Sequence, residues 1–382
     1  MNNIFDFATG ELSQDAFICW FFNWFNEGDN PRLKQLVCNF CNDKLGVSNV
    51  TSVDLHRQFS SKVEKDNKKF SVKIDVLIIL NKEIAVIVED KTFTSEHDDQ
   101  ILRYKEGLEI LQNQDKENKL RIEKKSYSIS KIVCVYWKTG FFYDYDKRVN
   151  ADKVVNSEDL IELLKDYRNE NQIIDMYVQN LTNNEEWYEK HKKYWDRADE
   201  NEEESVWNTN LRNYQIAQYT LMREFFPEEE TWKEKGDLFF VEHGSSYGIP
   251  WTEIWIYFNQ NDCAFDEIKR FRIFWRIDTD SKGSYISLRL HKSQKGAWDS
   301  KYNTFKKEVE NFIEKDATYL WTDINPGKTN SYKEADIAHF TIKKDTWEMD
   351  GGQQLKRTVK ALTEHILEFA KSKYGPNVYE NN

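Results

Sequence analysis

Two consecutive and almost continuously apolar runs constrain the fold of this chain more than any other feature. They are SVKIDVLIIL at 71–80 and EIAVIVEDK at 83–91, and only Asn81 and Lys82 lie between them. Runs rich in β-branched residues without polar alternation are typical of strands that are covered on both faces. The sequence therefore predicts a buried β-hairpin. The carboxylate of Asp75 lies inside the first run, where a charge is costly without a partner or a metal.

The length of the hairpin tip determines which residues face each other. A three-residue tip at 81–83 places Leu80 opposite Ile84, and the same register then places Asp75 opposite Glu89. Directly opposed side chains have Cβ atoms about 4.5–5.5 Å apart. A two-residue tip would shift the register by one residue and make the two acids diagonal neighbours. Both registers bring two carboxylates together.

A lysine is expected beside these two acids. Strands have a side-chain period of two, so Lys91 shares the face of Glu89 and Asp90 is turned away. Two carboxylates this close repel each other unless a cation lies between them, and hard oxygen ligands suit Mg²⁺. Lys91 is then placed to orient or deprotonate an attacking water, or to stabilise a pentavalent phosphate. The pattern indicates metal-assisted phosphodiester hydrolysis; the alternative is a buried network of ion pairs.

A helix is predicted directly after this strand. Apolar residues recur at the helix period in HDDQILRYKEGLEIL, residues 97–111. Gln100 and Tyr104 lie one turn apart on one face, where they can hydrogen-bond a substrate or hold Lys91. The alternative is a core tyrosine and a surface glutamine. A buried strand at 131–137 follows, which predicts a right-handed parallel crossover.

Two helices and a strand are predicted before the hairpin. Ser13 is a candidate N-cap for the helix DAFICWFFNWF, which is apolar on nearly all sides. Asn30 and Pro31 are typical of the cap and first residue of a second helix, which is expected to end near Gly46. A strand is predicted at 50–59. This order of elements favours an α/β domain.

The chain of 382 residues is long enough for more than one domain. We predict an α/β domain at 1–155, a helical, charged connecting region at 156–230 and a C-terminal α+β domain at 231–382. Basic and aromatic residues occur on predicted strands of the last domain: Arg272, Trp275, Arg276, Tyr285, Arg289, His291 and Lys292. They suit a nucleic-acid surface, or else a wet sheet face with ordinary core aromatics. The domain is expected to recognise nucleic acid, bind a regulatory ligand or form a homodimer.

Composition limits the function and the location of the protein. The net charge of −12 argues against a general nucleic-acid coat protein, although local patches and a metal can still bind nucleic acid. The five cysteines are an odd number, and Cys38 and Cys41 are expected on one helix face, which favours a reducing compartment. The sequence contains no basic signal-peptide start and no apolar run of membrane-spanning length. A cytoplasmic protein without a membrane segment is therefore expected.

The residues of the predicted site form an ordered set: Asp75, then Glu89, Asp90 and Lys91, then Gln100 and Tyr104. This set resembles the PD-(D/E)XK nuclease superfamily, also called restriction-endonuclease-like, whose pattern is an Asp followed by (D/E)-x-K on the next strand. The trailing QxxxY helix is similar to that of its RecB-like branch. Ile74 stands where the superfamily pattern has Pro, and the acidic Asp90 is less usual at the x position.

The resemblance implies a fold, a metal and roles for the matched residues. It implies a core of a mixed sheet flanked by helices, with Mg²⁺ or Mn²⁺ as the cofactor. Asp75 and Glu89 would be metal ligands, and the backbone carbonyl of Asp90 would be a third. Lys91 would be the catalytic lysine, and Gln100 and Tyr104 would support it.

The first helix supplies one more candidate ligand. The superfamily often adds a Glu from this helix, and Glu11 is the candidate here. The alternative is an acid that the helix dipole favours at a helix N-terminus. The function implied is a nuclease that cleaves DNA, in phage defence or DNA processing. The alternatives are a non-catalytic nucleic-acid-binding or scaffold protein and a regulated RNase.

Overall fold

The computed structural model describes most of the chain in two compact units, Met1–Tyr188 and Glu189–Asn382. The described residues are 3–65, 68–92, 94, 96, 99–143, 146, 149–192, 211–226, 240–246, 249–255, 271–280, 283–292, 298–315, 324–326, 334–342 and 350–374. The division after Tyr188 falls within 156–230, the segment predicted to be a connecting region. The predicted boundaries 1–155, 156–230 and 231–382 stay a prediction.

The first unit contains a mixed sheet with helices on both faces. Its strands are β1 (Val53–Lys65), β2 (Lys68–Leu80), β3 (Ile84–Lys91), β4 (Leu120–Ile122), β5 (Lys125–Tyr127), β6 (Lys131–Lys138) and β7 (Lys153–Asn156). Its helices are α1 (Glu11–Asn23), α2 (Pro31–Phe40), α3 (Gln100–Gln114), α4 (Ser157–Leu164) and α5 (Gln172–Lys192), which continues beyond Tyr188.

The sheet has the strand order β1-β2-β3-β6-β7. β1, β2 and β3 are antiparallel neighbours, whereas β3, β6 and β7 run parallel. The prediction that 83–91 and 131–137 form a parallel pair across a helix is confirmed. β4 and β5 form a separate small hairpin.

The sheet separates two hydrophobic cores. The α1-side core packs α1, α2, α4 and α5 against one face, and the α3-side core packs α3 and the β4–β5 hairpin against the other. Alternation along β3 follows these faces, because Val86 and Val88 lie in the α1-side core while Ala85 and Ile87 lie in the α3-side core. All four are buried, as the continuous apolar run predicts.

The helix ends agree with the sequence at α2 and differ at α1. Asn30 caps α2, because its side chain accepts hydrogen bonds from two backbone N–H groups of the first turn. The chain then leaves the helical turn after α2 at Gly46, which has φ +66°. Ser13 as the N-cap of α1 is wrong. The cap is Gly10, and the N–H of Ser13 already bonds to the Gly10 carbonyl at 2.9 Å.

Halfway along the β1–β2 pair, the side chains of β2 change the core into which they point. Ile74 lies in the α3-side core, whereas Val76, two residues later, lies in the α1-side core. Between these two residues the regular pairing of β1 with β2 is interrupted, because Gln58 and Asp75 are not paired in the ladder. The backbone of Gln58 has φ +53°. A residue other than glycine with a left-handed backbone is strained, and such strained residues often lie near functional sites.

The second unit contains a six-stranded antiparallel sheet, in the order β12-β13-β11-β10-β9-β8, together with helices. Its strands are β8 (Phe240–Ser246), β9 (Ile249–Trp255), β10 (Phe271–Asp280), β11 (Gly283–Lys292), β12 (Ile324–Pro326) and β13 (Glu334–Ile342). Its helices are α6 (Leu211–Phe225), α7 (Trp298–Lys315) and α8 (Gln353–Tyr374). None of the helices in the described ranges is both long and apolar enough to cross a membrane.

Among the described residues of the second sheet, the charged side chains of the polar face are paired with one another, unlike those of the wet face that the sequence predicts. The side chains of Arg272, His291 and Lys292 lie outside the described residues. Arg276 binds Glu253 and Asp278, each at 2.9 Å, and Arg289 binds Asp278 at 2.6 Å. Mutual pairing allows these charges to be buried. Trp275, on the other face, is fully buried and is therefore a core residue rather than a surface for stacking bases.

Close packing of α3 on β2 generates a test of this architecture. A Cβ atom added at Gly107 would lie 2.1 Å from Val72 Cγ2, and a valine side chain has little freedom to move. We expect Gly107→Ala to lower the free energy of unfolding by about 1–3 kcal/mol, although alanine favours a helix by about 1 kcal/mol. Urea denaturation measures the change. Adding Val72→Ala should restore part of the loss, and a more stable Gly107→Ala protein would contradict this packing.

Candidate active site

The site begins where β2 separates from β3. The pair has the register that a three-residue tip predicts, from Leu80 opposite Ile84 to Val76 opposite Val88. Beyond Val88, β3 continues to its last residue while paired with β6. The next residue of β2 is Asp75, which therefore lies at the point where the two strands part.

The side chain of Asp75 replaces a backbone hydrogen bond of the β2–β3 ladder at this point. Asp75 Oδ2 accepts a hydrogen bond from the backbone N–H of Asp90 at 3.1 Å. The carboxylate thus satisfies a donor that a strand carbonyl would otherwise satisfy. Burial raises the pKa of Asp75, and the hydrogen bond from Asp90 opposes this shift.

Glu89 and Lys91 form an ion pair at the end of β3. Their Oε1 and Nζ atoms are 2.6 Å apart, and both residues are buried. Burial raises the pKa of Glu89 to about 7, against the attraction of Lys91. Burial lowers the pKa of Lys91, but Glu89 together with the charges of Glu11 and Asp75 outweighs this effect, and the net shift is upward. The predicted neighbours therefore meet, and their direct contact agrees with the predicted ion network as well as with a metal site.

Gln100 and Tyr104 lie on the helix that follows, as predicted. Gln100 is the first residue of α3, and its Nε2 donates to the Tyr104 hydroxyl at 3.3 Å. Burial raises the pKa of Tyr104, and the charge on Glu89 raises it further. The hydroxyl is therefore close enough to the acids of the strand ends to sense their charge.

Glu11 reaches the same group from α1. It is the first residue of that helix, and its Oε1 accepts a hydrogen bond from Thr94 Oγ1 at 2.8 Å. Its charge raises the pKa of both Asp75 and Glu89. Glu11 thus occupies the position that the helix dipole favours and also faces the site. The two interpretations of this residue, a dipole-favoured acid and a candidate ligand, are therefore compatible.

Asp90 points to the other side of β3, as alternation predicts. It is fully buried, and neither of its carboxylate oxygens has a hydrogen-bond partner in the described part of the chain. Burial raises its pKa well above the usual range, and the charges of Asp15 and Asp75 add to this effect. Its backbone N–H is the group that binds Asp75.

Asp15 belongs to the site although the sequence analysis did not identify it. It lies one turn after Glu11 on α1, is 1% exposed and accepts a hydrogen bond from Gln58 Nε2 at 2.6 Å. Burial raises its pKa to about 6, and Asp75 adds to the shift. The spacing of four between Glu11 and Asp15, which places both acids on one helix face, was the available signal.

Lys138 is a second residue that the sequence analysis did not identify. It ends β6 directly beside Lys91 in the parallel ladder and is fully buried. Burial lowers its pKa to about 8. The signal was that both parallel strands end in lysine, so that the two ammonium groups arrive at one edge of the sheet.

The donor set suits a hard divalent cation. Among the described residues, no three His, Cys, Asp or Glu side chains are placed to enclose a metal by themselves. Mg²⁺ does not need such a cage, because it binds through one or two carboxylates and otherwise through water and phosphate oxygens. Glu89 Oε2 is buried and lacks a hydrogen-bond partner within the described ranges. Asp75 and Glu89, with Glu11 beside them, therefore fit such an ion.

The raised carboxyl pKa values predict how stability depends on pH in metal-free protein. Glu89 has a pKa of about 7 in the folded chain and an ordinary value of 4.5, so between these values the folded state binds more protons than the unfolded state. The free energy of unfolding should therefore fall as pH rises from about 4.5 to about 7. Asp15 acts in the same direction between 3.8 and about 6.

Thermal unfolding in EDTA at several pH values measures this dependence. The Glu89→Gln variant should lose less stability than the wild type as pH rises from about 5 to about 7.5, because it has no carboxyl group to ionise. The exposed Glu83→Gln, at the other end of the hairpin, is the matched control and should follow the wild type. Parallel curves for wild type and Glu89→Gln would show that the pKa of Glu89 is not raised.

Comparison with known proteins identifies the family. A model of the PD-(D/E)XK nuclease superfamily matches residues 2–227, more than half of the 382 residues. Searches of the curated proteins and of the solved structures found no match to this chain. The matched segment contains every residue of the candidate site, from Glu11 to Lys138. The chain belongs to the PD-(D/E)XK nuclease superfamily.

Proposed function

We propose that this chain is a metal-dependent nuclease that hydrolyses phosphodiester bonds in DNA. The observation that carries the proposal is the meeting of Asp75, Glu89 and Lys91 where β2 leaves β3. Nucleases of this superfamily generally use divalent metals. The choice of DNA and a role in phage defence or DNA processing rest on family analogy.

Asp75 and Glu89 would hold Mg²⁺ or Mn²⁺, with Glu11 and the backbone carbonyl of Asp90 as further oxygen donors. A bound divalent ion would stabilise the negative charge that develops on the phosphate during hydrolysis. The raised pKa values of Asp75 and Glu89 fit this role, because carboxylates crowded together in a buried place favour a cation between them.

Lys91 would act on the attacking water or on the phosphate. Its Nζ lies 2.6 Å from Glu89 Oε1, so the ammonium is held at the end of β3 with little freedom. As an ammonium it can orient the water or donate to a phosphate oxygen, whereas taking up the proton of the water requires that Lys91 first give up its own proton. The Gln100 amide and the Tyr104 hydroxyl, 3.3 Å apart, would bind the substrate phosphate or base from the α3 side.

Several finer assignments are part of the same proposal. The QxxxY spacing of Gln100 and Tyr104 supports a place in the RecB-like branch of the superfamily. A cytoplasmic location, a homodimer and a regulatory ligand bound by the C-terminal unit stay predictions.

Cleavage of labelled single- and double-stranded DNA and RNA tests the proposed function. Wild-type protein should cut DNA with Mg²⁺ or Mn²⁺ and should not cut it in EDTA. Glu89→Gln and Lys91→Ala should each lower the cleavage rate by at least about 100-fold, because each removes a group that contacts the reacting phosphate, the water or the metal.

Two controls make the result specific. Lys82→Ala removes an exposed lysine at the tip of the same hairpin and should cut at the wild-type rate. Circular dichroism and thermal unfolding should show that the variants remain folded. If the protein cleaved RNA but not DNA, RNA would replace DNA as the proposed substrate. Full activity in folded Lys91→Ala would contradict the site itself.

A further inference from the structure

Lys138 is a fully buried lysine that the proposed chemistry does not use. It is 0% exposed, and it pairs with Lys91 in the ladder between β3 and β6. Burying an ammonium group costs several kcal/mol unless hydrogen bonds or charges compensate for the lost water. A fully buried lysine beside a catalytic lysine therefore needs a reason that lies in its contacts.

The contacts of Lys138 lead to Glu11. Its Nζ donates to the backbone carbonyl of Thr94, in the connection between β3 and α3. The hydroxyl of the same threonine donates to Glu11 Oε1 at 2.8 Å. Three segments distant in sequence are thus joined: the end of β6, the connection after β3 and the first turn of α1.

This chain of contacts runs from the interior of the unit to its surface. Lys138 is buried, Thr94 is exposed and Glu11 is partly exposed. The buried ammonium fixes the threonine backbone, and a fixed backbone presents the hydroxyl to Glu11 in one orientation. The carboxylate of Glu11 then keeps its other oxygen for a ligand that approaches from solvent.

We propose that Lys138 and Thr94 are positioning residues that hold Glu11 as a ligand of the divalent metal. The inference rests on the proposed function, because it concerns the same ion. Hydrogen-bond partners of metal ligands orient those ligands, and their loss typically lowers metal affinity or activity about 10–100-fold. Glu11 is thereby a ligand because two other elements of the fold place it, and not only because the helix dipole favours an acid there.

Charge balance explains why the anchor is a lysine. Glu11, Asp15, Asp75, Glu89 and Asp90 influence one another electrostatically. A second ammonium near Lys91 partly offsets this excess of negative charge. It binds a backbone carbonyl instead of a carboxylate, so the acids stay available for the metal.

Matched variants distinguish a role of these residues in positioning Glu11 from a role in the stability of the fold alone. Thr94→Val removes the hydroxyl and keeps the shape, whereas Thr94→Ser keeps the hydroxyl. Lys138→Met keeps the length of the side chain and removes the charge, and Lys131→Met does the same at the exposed start of β6. Each full-length variant is measured for the Mg²⁺ concentration that gives half-maximal cleavage, and for the rise in Tm that Mn²⁺ causes without nucleic acid.

We expect Thr94→Val and Lys138→Met to need about tenfold more Mg²⁺ and to show a smaller Mn²⁺-induced rise in Tm. Their KM for nucleic acid should change little. Thr94→Ser and Lys131→Met should match the wild type in both measurements. If Lys138→Met does not fold, the comparison of Thr94→Val with Thr94→Ser decides alone.

Wild-type metal responses in Thr94→Val would overturn the inference and leave the proposed function intact. A wild-type protein that cleaves nothing and shows no rise in Tm with Mn²⁺ would overturn both. A wild-type protein that shows the rise without cleavage would overturn the nuclease assignment alone, and the threonine pair would still test the positioning of Glu11.

Discussion

The hydrogen bond from the Asp90 N–H to the Asp75 carboxylate is the interaction on which the site depends. It ends the β2–β3 ladder without leaving a buried backbone donor unpaired. If β2 continued beside β3, its backbone would cover the strand end that carries Glu89 and Lys91. The same acid therefore opens the sheet and places a carboxylate at the opening, where the proposed function needs a metal ligand.

Charge is unevenly distributed around this opening. Carboxylates arrive from α1, β2 and β3, and the charges of Glu11 and Asp75 raise the pKa of acids on the other elements. Two lysines arrive from β3 and β6, and one of them is already bound to Glu89. Several buried acids close together are costly to ionise, which is why their pKa values are raised. A divalent cation bound among them would stabilise their ionised forms. This electrostatic arrangement, rather than a ready-made cage of ligands, is what the structure offers to a metal.

The local part of the site could be predicted from sequence, because local rules determine it. Turn length set the β2–β3 register, which runs to Val76 opposite Val88 and ends one residue before the predicted pair of Asp75 and Glu89. Strand alternation separated Lys91 from Asp90, and helix periodicity paired Gln100 with Tyr104. Asp15 and Lys138 were missed because they join the site through the packing of α1 and through the β3–β6 ladder. The spacing of Glu11 and Asp15 and the lysine at the end of both strands were local signals, but the contacts themselves depend on tertiary structure.

Two further features could not be predicted for the same reason. The left-handed backbone of Gln58 lies in a strand with no glycine or turn signal, and it becomes understandable only beside Asp75 and Asp15. The polar face of the second sheet alternates like a wet face, but Arg276 and Arg289 are only 11% and 12% exposed and pair with acids of neighbouring strands.

Calorimetric titration of Mn²⁺ into metal-free protein tests the central claim most directly. Asp75→Asn is the informative variant, because its amide oxygen can still accept the N–H of Asp90 while its negative charge is lost. We expect that wild-type protein binds Mn²⁺ and that Asp75→Asn binds it at least about tenfold more weakly at an unchanged Tm in EDTA. Equal binding by the two proteins, or no binding by the wild type, would contradict this claim.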